Sequence, residues 1–144
     1  MTSINVNLGD AFLLETPPND QHLYIAIAKT SADKYLFVNV TTRRAKSDLS
    51  CILQPNTEGV PNFVKRESVI NYLDAREMNV EQLARVICEG SRIPKCRFSP
   101  AILLQIQQGG IVSKRLPKVY KNALRNFLTF YLIDKKAIAL SSHG

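Results

Sequence analysis

The sequence predicts an α+β fold: a small antiparallel β-barrel, closed or half closed, over residues 1–78, followed over residues 79–144 by a basic helical subdomain of about three helices packed on the barrel. Three observations carry that expectation. The first half contains five or six short apolar segments divided by turn residues, with no helix long enough for a parallel crossover, so its strands must pair antiparallel. The second half changes to apolar residues spaced three and four apart. Charge changes at the same place: residues 1–79 carry 8 basic and 9 acidic side chains, residues 80–144 carry 11 and 3.

In chain order, the Gly9-Asp10 turn leads into a first strand, Ala11-Phe12-Leu13-Leu14, which the breaker Pro17-Pro18-Asn19-Asp20 ends. His22 to Ala28 alternates around Tyr24 and Ile25. Ser31-Ala32-Asp33-Lys34 then turns a hairpin into Tyr35-Leu36-Phe37-Val38-Asn39-Val40-Thr41-Thr42. Ser50-Cys51-Ile52-Leu53 and Val60-Pro61-Asn62-Phe63-Val64 read as two further short strands. Val69-Ile70-Asn71-Tyr72-Leu73 fits either a strand or a helical turn, because a short apolar run has no decisive period.

Asn79 caps a first helix, with Gln82 at the third helical position, Leu83, Val86 and Ile87 as its apolar stripe, and Gly90 as its end. Ser99-Pro100, a cap followed by the proline favoured at the first helical position, opens a second helix that carries Ile102, Leu103 and Ile106 inward and stops at Gly109-Gly110. A third helix runs from about Leu116-Pro117 to Ile133, with Leu116, Tyr120, Ala123, Leu124, Phe127 and Tyr131 on one face. From Ala137 the chain reads as a weak strand and a tail.

The composition excludes several classes. No apolar run nears the roughly 20 residues of a membrane span, and the N-terminus lacks the pattern of a signal peptide, so the expectation is a cytoplasmic protein without membrane contact. Three cysteines with no C-x-x-C pair, and two histidines with one at position 143, argue against disulfides and against a metal site. Small buried thiols are the simpler reading of Cys51, Cys88 and Cys96. No phosphate-binding loop, dinucleotide fingerprint or nucleophile elbow is present, so no cofactor is expected.

The net charge of +7 instead suggests a phosphate-bearing partner, RNA or DNA. Between Glu89 and Asp134 there is no acidic residue, yet Arg92, Lys95, Arg97, Lys114, Arg115, Lys118, Lys121 and Arg125 fall there. A solvated basic helix surface is the competing interpretation. Polar residues also gather at strand ends, where an antiparallel hairpin brings His22 beside Thr41, Thr42, Arg43 and Arg44. Metal-independent RNA cleavage needs such a set: His22 to move protons, Arg43 or Arg44 to hold the phosphate, Thr41 or Thr42 to donate a hydrogen bond. Each residue also has an ordinary structural use, as a surface histidine, β-branched strand residues or a solvated loop.

The Gly9-Asp10 turn, the hairpin ending in Val38-Asn39-Val40-Thr41-Thr42, and the segment from Phe63 to Arg76 together resemble the MazF/PemK toxin family over roughly residues 8–78. That resemblance implies an SH3-like barrel that cleaves single-stranded RNA as a toxin endoribonuclease, works as a homodimer and is neutralised by an antitoxin protein. It matches Gly9 and Asp10 to the family's Gly-Asp, and Thr41 or Thr42 to its hairpin threonine. The family's catalytic arginine, within an Arg-Pro pair, is missing; Asp20, Gln21 and His22 stand there. Either His22 or one of Arg43-Arg44 takes that role, or the barrel binds without cutting. The alternatives are a non-catalytic nucleic-acid-binding regulator that uses the basic helical half, and a protein-interaction module whose groove receives a peptide.

Overall fold

The computed structural model describes residues 4–16 and 20–141, with side chains as far as residue 130. The Pro17-Pro18-Asn19 breaker, the Tyr131 side chain and His143 lie outside the described residues. Six strands form one antiparallel sheet: β1 (Asp10–Thr16), β2 (Asp20–Lys29), β3 (Lys34–Thr42), β4 (Ile52–Leu53), β5 (Ser68–Asn79) and β6 (Cys96–Arg97). Their spatial order is β4-β5-β3-β2-β1-β6, curled into a half-barrel, and three helices complete the mixed α+β fold: α1 (Val80–Val86), α2 (Pro100–Val112) and α3 (Lys118–Ser141).

The strand period of two sorts the apolar residues onto two faces. Leu23, Ile25, Leu36, Val38, Ile70 and Tyr72 share one cluster with Ile102 and Ile106 of α2, Leu116 before α3 and Leu124 of α3. Phe12, Leu14, Tyr24, Phe37 and Met78 form the opposite cluster with Leu83 of α1. Helices therefore cover both faces, which is why β2 is buried along six consecutive residues, Leu23–Ala28. A bulge between Ala26 and Ala28 displaces Ile27 from the ladder, and the buried Gln107 side chain of α2 donates to its carbonyl at 2.8 Å.

Several boundaries differ from the sequence expectation, each for a visible reason. Val60–Val64 is not a strand but two successive turns, closed by Val60 N to Thr57 O and Val64 N to Pro61 O, both 3.0 Å. The ambiguous run at Val69 belongs to the 12-residue strand β5. Helix α1 has the expected capping box of Asn79 and Gln82 but ends at Val86, short of Gly90. Ile87 leaves it to bridge Leu14, and Cys88 N donates to Leu13 O at 2.9 Å, so the edge of β1 captures the chain. Strand β6, in the half expected to be helical, pairs with β1 through Asp10 and Ala11.

Gly109 and Gly110 lie inside α2 rather than at its end. A Cβ on Gly109 would sit 2.3 Å from the Tyr72 hydroxyl, and one on Gly110 2.8 Å from Leu124 Cδ2. Their role is close approach to the sheet and to α3. Ser113 caps the helix instead. Residues 137–141 continue α3, where a weak strand was expected.

Candidate functional site

Three clefts adjoin one another at the end of the half-barrel where β3 finishes. The central one, about 240 Å³, is lined by His22, Thr41, Thr42, Phe63, Lys65 and Arg66, among others. A second, about 530 Å³, holds Thr42, Arg43, Arg44, Arg66 and Glu67. The third, about 280 Å³, contains Thr41, Thr42, Arg44, Lys46, Asp48 and Arg115. Thr42 borders all three.

The hairpin register accounts for the meeting of His22 and Thr41. Leu23 pairs with Val40, so the next step outward sets His22 opposite Thr41. Strand β5 continues the array, pairing Val69 with Thr41 and Ser68 with Thr42. The loops after β3 and before β5 then rise beside the strand ends, bringing Arg43, Arg44, Lys65 and Arg66 to the cleft walls.

His22 is oriented from below. Its Nδ1 lies 2.8 Å from Thr16 Oγ1, and that hydroxyl also contacts the Asp20 carbonyl at 3.3 Å. A hydroxyl has one hydrogen; if Thr16 donates it to Asp20, Nδ1 must be the donor to Thr16. With the Thr16 hydrogen given to Asp20, a neutral His22 ring would carry its lone pair on Nε2.

The arginines divide by pairing. Arg43 Nη1 meets Glu67 Oε1 at 2.8 Å, and Gln54 also donates to that carboxylate; hydrogen bonds from Gln54 first and Arg43 second hold Glu67 below the usual carboxylate range. Arg97 Nε pairs at 2.9 Å with the buried Asp10, whose other oxygen accepts from Asn7 N, so Arg97 braces the Gly9-Asp10 turn at the β1 edge. Neither Arg66 nor Arg115 forms a salt bridge among the described residues, and both line clefts. Lys95 Nζ sits 5.7 Å from the centre of the Phe63 ring.

Part of the basic helical half reaches this end. Arg115 lines the third cleft, and Lys121 donates to the carbonyl of Ser113, two residues before Arg115. Arg92, Lys114, Lys118 and Arg125 are exposed and do not line the three clefts. Sequence reasoning missed Lys46, Lys65, Arg66 and Glu67 as members of the site. Their signal was available in the polar loops flanking the expected strands, but only the β3–β5 pairing brings both loops to one rim.

The thiols are poor nucleophiles. Burial pushes Cys51 and Cys96 each up to about 11. No protein-family model matches the chain, and no curated protein matches it in sequence.

Proposed function

We propose that this protein is an endoribonuclease that cleaves single-stranded RNA by attack of a ribose 2′-hydroxyl on the adjacent phosphate, with its chemistry in the His22–Thr41 cleft. The observation that carries the reading is that His22, Thr41, Lys65 and Arg66 line one cleft. These supply a proton-transfer group, a hydroxyl donor and two cations for the phosphoryl oxygens.

In the step proposed, His22 Nε2 takes the proton as O2′ bonds to phosphorus and the P–O5′ bond breaks. The departing 5′-oxygen takes a proton from solvent water, to which His22 later releases the one it accepted, leaving a 2′,3′-cyclic phosphate and a 5′-hydroxyl end. Thr41 donates to a phosphoryl oxygen, while Lys65 and Arg66 offset its negative charge. The reading agrees with what the MazF/PemK resemblance implies, with His22 standing where that family carries its arginine.

The mechanism demands a free 2′-hydroxyl, so the test compares an RNA strand with its 2′-O-methyl counterpart in the presence of a chelator. The RNA is cut and the methylated strand stays whole if the reading holds. Two intact strands, or two cut ones, overturn it. A non-catalytic nucleic-acid-binding protein is the second reading, favoured by Arg115 in the third cleft and Lys121 on the Ser113 carbonyl beside it. It predicts binding to both strands and cleavage of neither.

A further inference from the structure

We propose that the Phe63 ring is a stacking platform for one base of a single-stranded nucleic acid, with Lys95, Lys65 and Arg66 engaging the phosphates on either side. The inference rests on the nucleic-acid reading above and adds the contact that makes binding depend on bases as well as on charge.

Phe63 is 44% exposed, whereas Val60 and Val64 on the same segment are buried at 8% and 5%. The turn closed by Val64 N and Pro61 O is thus anchored by Val64 at its end and by Val60 just before it, and the aromatic side chain is held outward by that anchoring. Proline at the start of the turn fixes its backbone further. A single exposed phenylalanine is ordinary, but this one stands in the wall of the cleft that holds His22 and Thr41.

Its surroundings select the occupant. Lys95 lies 5.7 Å from the ring centre, and Lys65 and Arg66 line the same cleft. A single flat ring among cations suits a flat base flanked by anionic phosphates, the combination by which single strands are bound without sequence preference. An apolar protein surface would need a wider patch than one ring. Phe130, the other strongly exposed aromatic among the described residues, lies on α3 and lines none of the three clefts.

The test measures binding of the full chain to two labelled 2′-O-methyl strands that cannot be cut, an oligoadenylate and an abasic strand with the same number of phosphates. The wild type should prefer the base-bearing strand by about 10-fold. Phe63→Leu should reduce that preference to near unity while leaving affinity for the abasic strand and its salt dependence in place, and Phe63→Tyr should restore it. Equal binding of both strands by the wild type, an unchanged preference in Phe63→Leu, or binding of neither strand overturns the proposal. The two readings fail separately: base preference through Phe63 without RNA cleavage removes the nuclease and keeps the platform, and cleavage without base preference does the reverse.

Discussion

Ser113, at the end of α2, donates a 2.6 Å hydrogen bond to the carboxylate of Asp48, 65 residues earlier in the chain. The same hydroxyl accepts from Arg115 N at 3.0 Å and Leu116 N at 3.2 Å, while the second Asp48 oxygen takes both Ser50 N and Ser50 Oγ. One carboxylate therefore ties the α2–α3 junction to the loop after β3, and through Arg115 it fixes one wall of the third cleft.

That tie predicts an acid-sensitive contribution to stability. Partial burial works against the Asp48 charge, but the Ser113 and Ser50 hydrogen bonds and the nearby Arg115 outweigh it and hold the carboxyl below its ordinary value of 3.8. A depressed folded-state value stabilises above the unfolded one and loses that effect as pH falls through the folded one. Asp48→Asn should cost about 1–2 kcal/mol at neutral pH, allowing for partial exposure. In urea titrations the gap to the wild type should close below pH 3.8; a gap independent of pH contradicts the assignment.

Gly109→Ala should destabilise the fold although alanine is the better helix former. The new methyl would meet the Tyr72 hydroxyl at 2.3 Å, Cys51 Cβ at 2.9 Å and the Ser50 carbonyl at 3.0 Å, so overpacking of about 1–3 kcal/mol opposes a propensity gain of about 1. Equilibrium unfolding reads the net loss. A more stable variant would mean that α2 can shift away from β5.

The two kinds of arginine should respond differently to charge reversal. Arg66→Glu or Arg115→Glu should weaken RNA binding and lower the salt slope by about one or more each, because each removes a cation from a cleft wall. Arg97→Glu should instead lower stability with little change in salt slope, since that guanidinium serves Asp10. Anisotropy titrations over a range of salt, beside urea melts, separate the two effects.

Thr16 should act through His22. Thr16→Val removes the hydroxyl that holds Nδ1 and should lower kcat for RNA cleavage on the order of 10-fold with KM unchanged, as loss of an orienting partner does elsewhere. A change in KM alone would assign Thr16 to substrate binding.

The hairpin was legible in the sequence because its alternation and turn agree, but its turn pairs Lys29 with Tyr35, and only the bulge between Ala26 and Ala28 shifts the register so that Leu23 meets Val40 and His22 falls beside Thr41. The helix starts were equally readable, since Asn79 and Ser99 are side-chain caps whose partners lie three residues away. Helix ends were not: Gly109 and Gly110 read as terminators until Tyr72 and Leu124 are seen packed on them, and Ile87 left α1 for a strand distant in sequence. Strand β6 has two residues and owes its existence to the β1 edge. The candidate cleft was readable on the β2 and β3 side. Its other wall, Lys65 to Glu67, depends on long-range pairing with β5 that no local pattern encodes.

In the proposed mechanism His22 moves a proton during RNA cleavage. The most direct test incubates the wild type and His22→Ala with a mixed pool of single-stranded RNA in chelator, then maps and types the new ends. The wild type should yield 2′,3′-cyclic phosphate and 5′-hydroxyl termini, and His22→Ala should lose about 100-fold or more of the activity with RNA affinity retained. Intact RNA with the wild type, or undiminished cutting by His22→Ala, contradicts that mechanism.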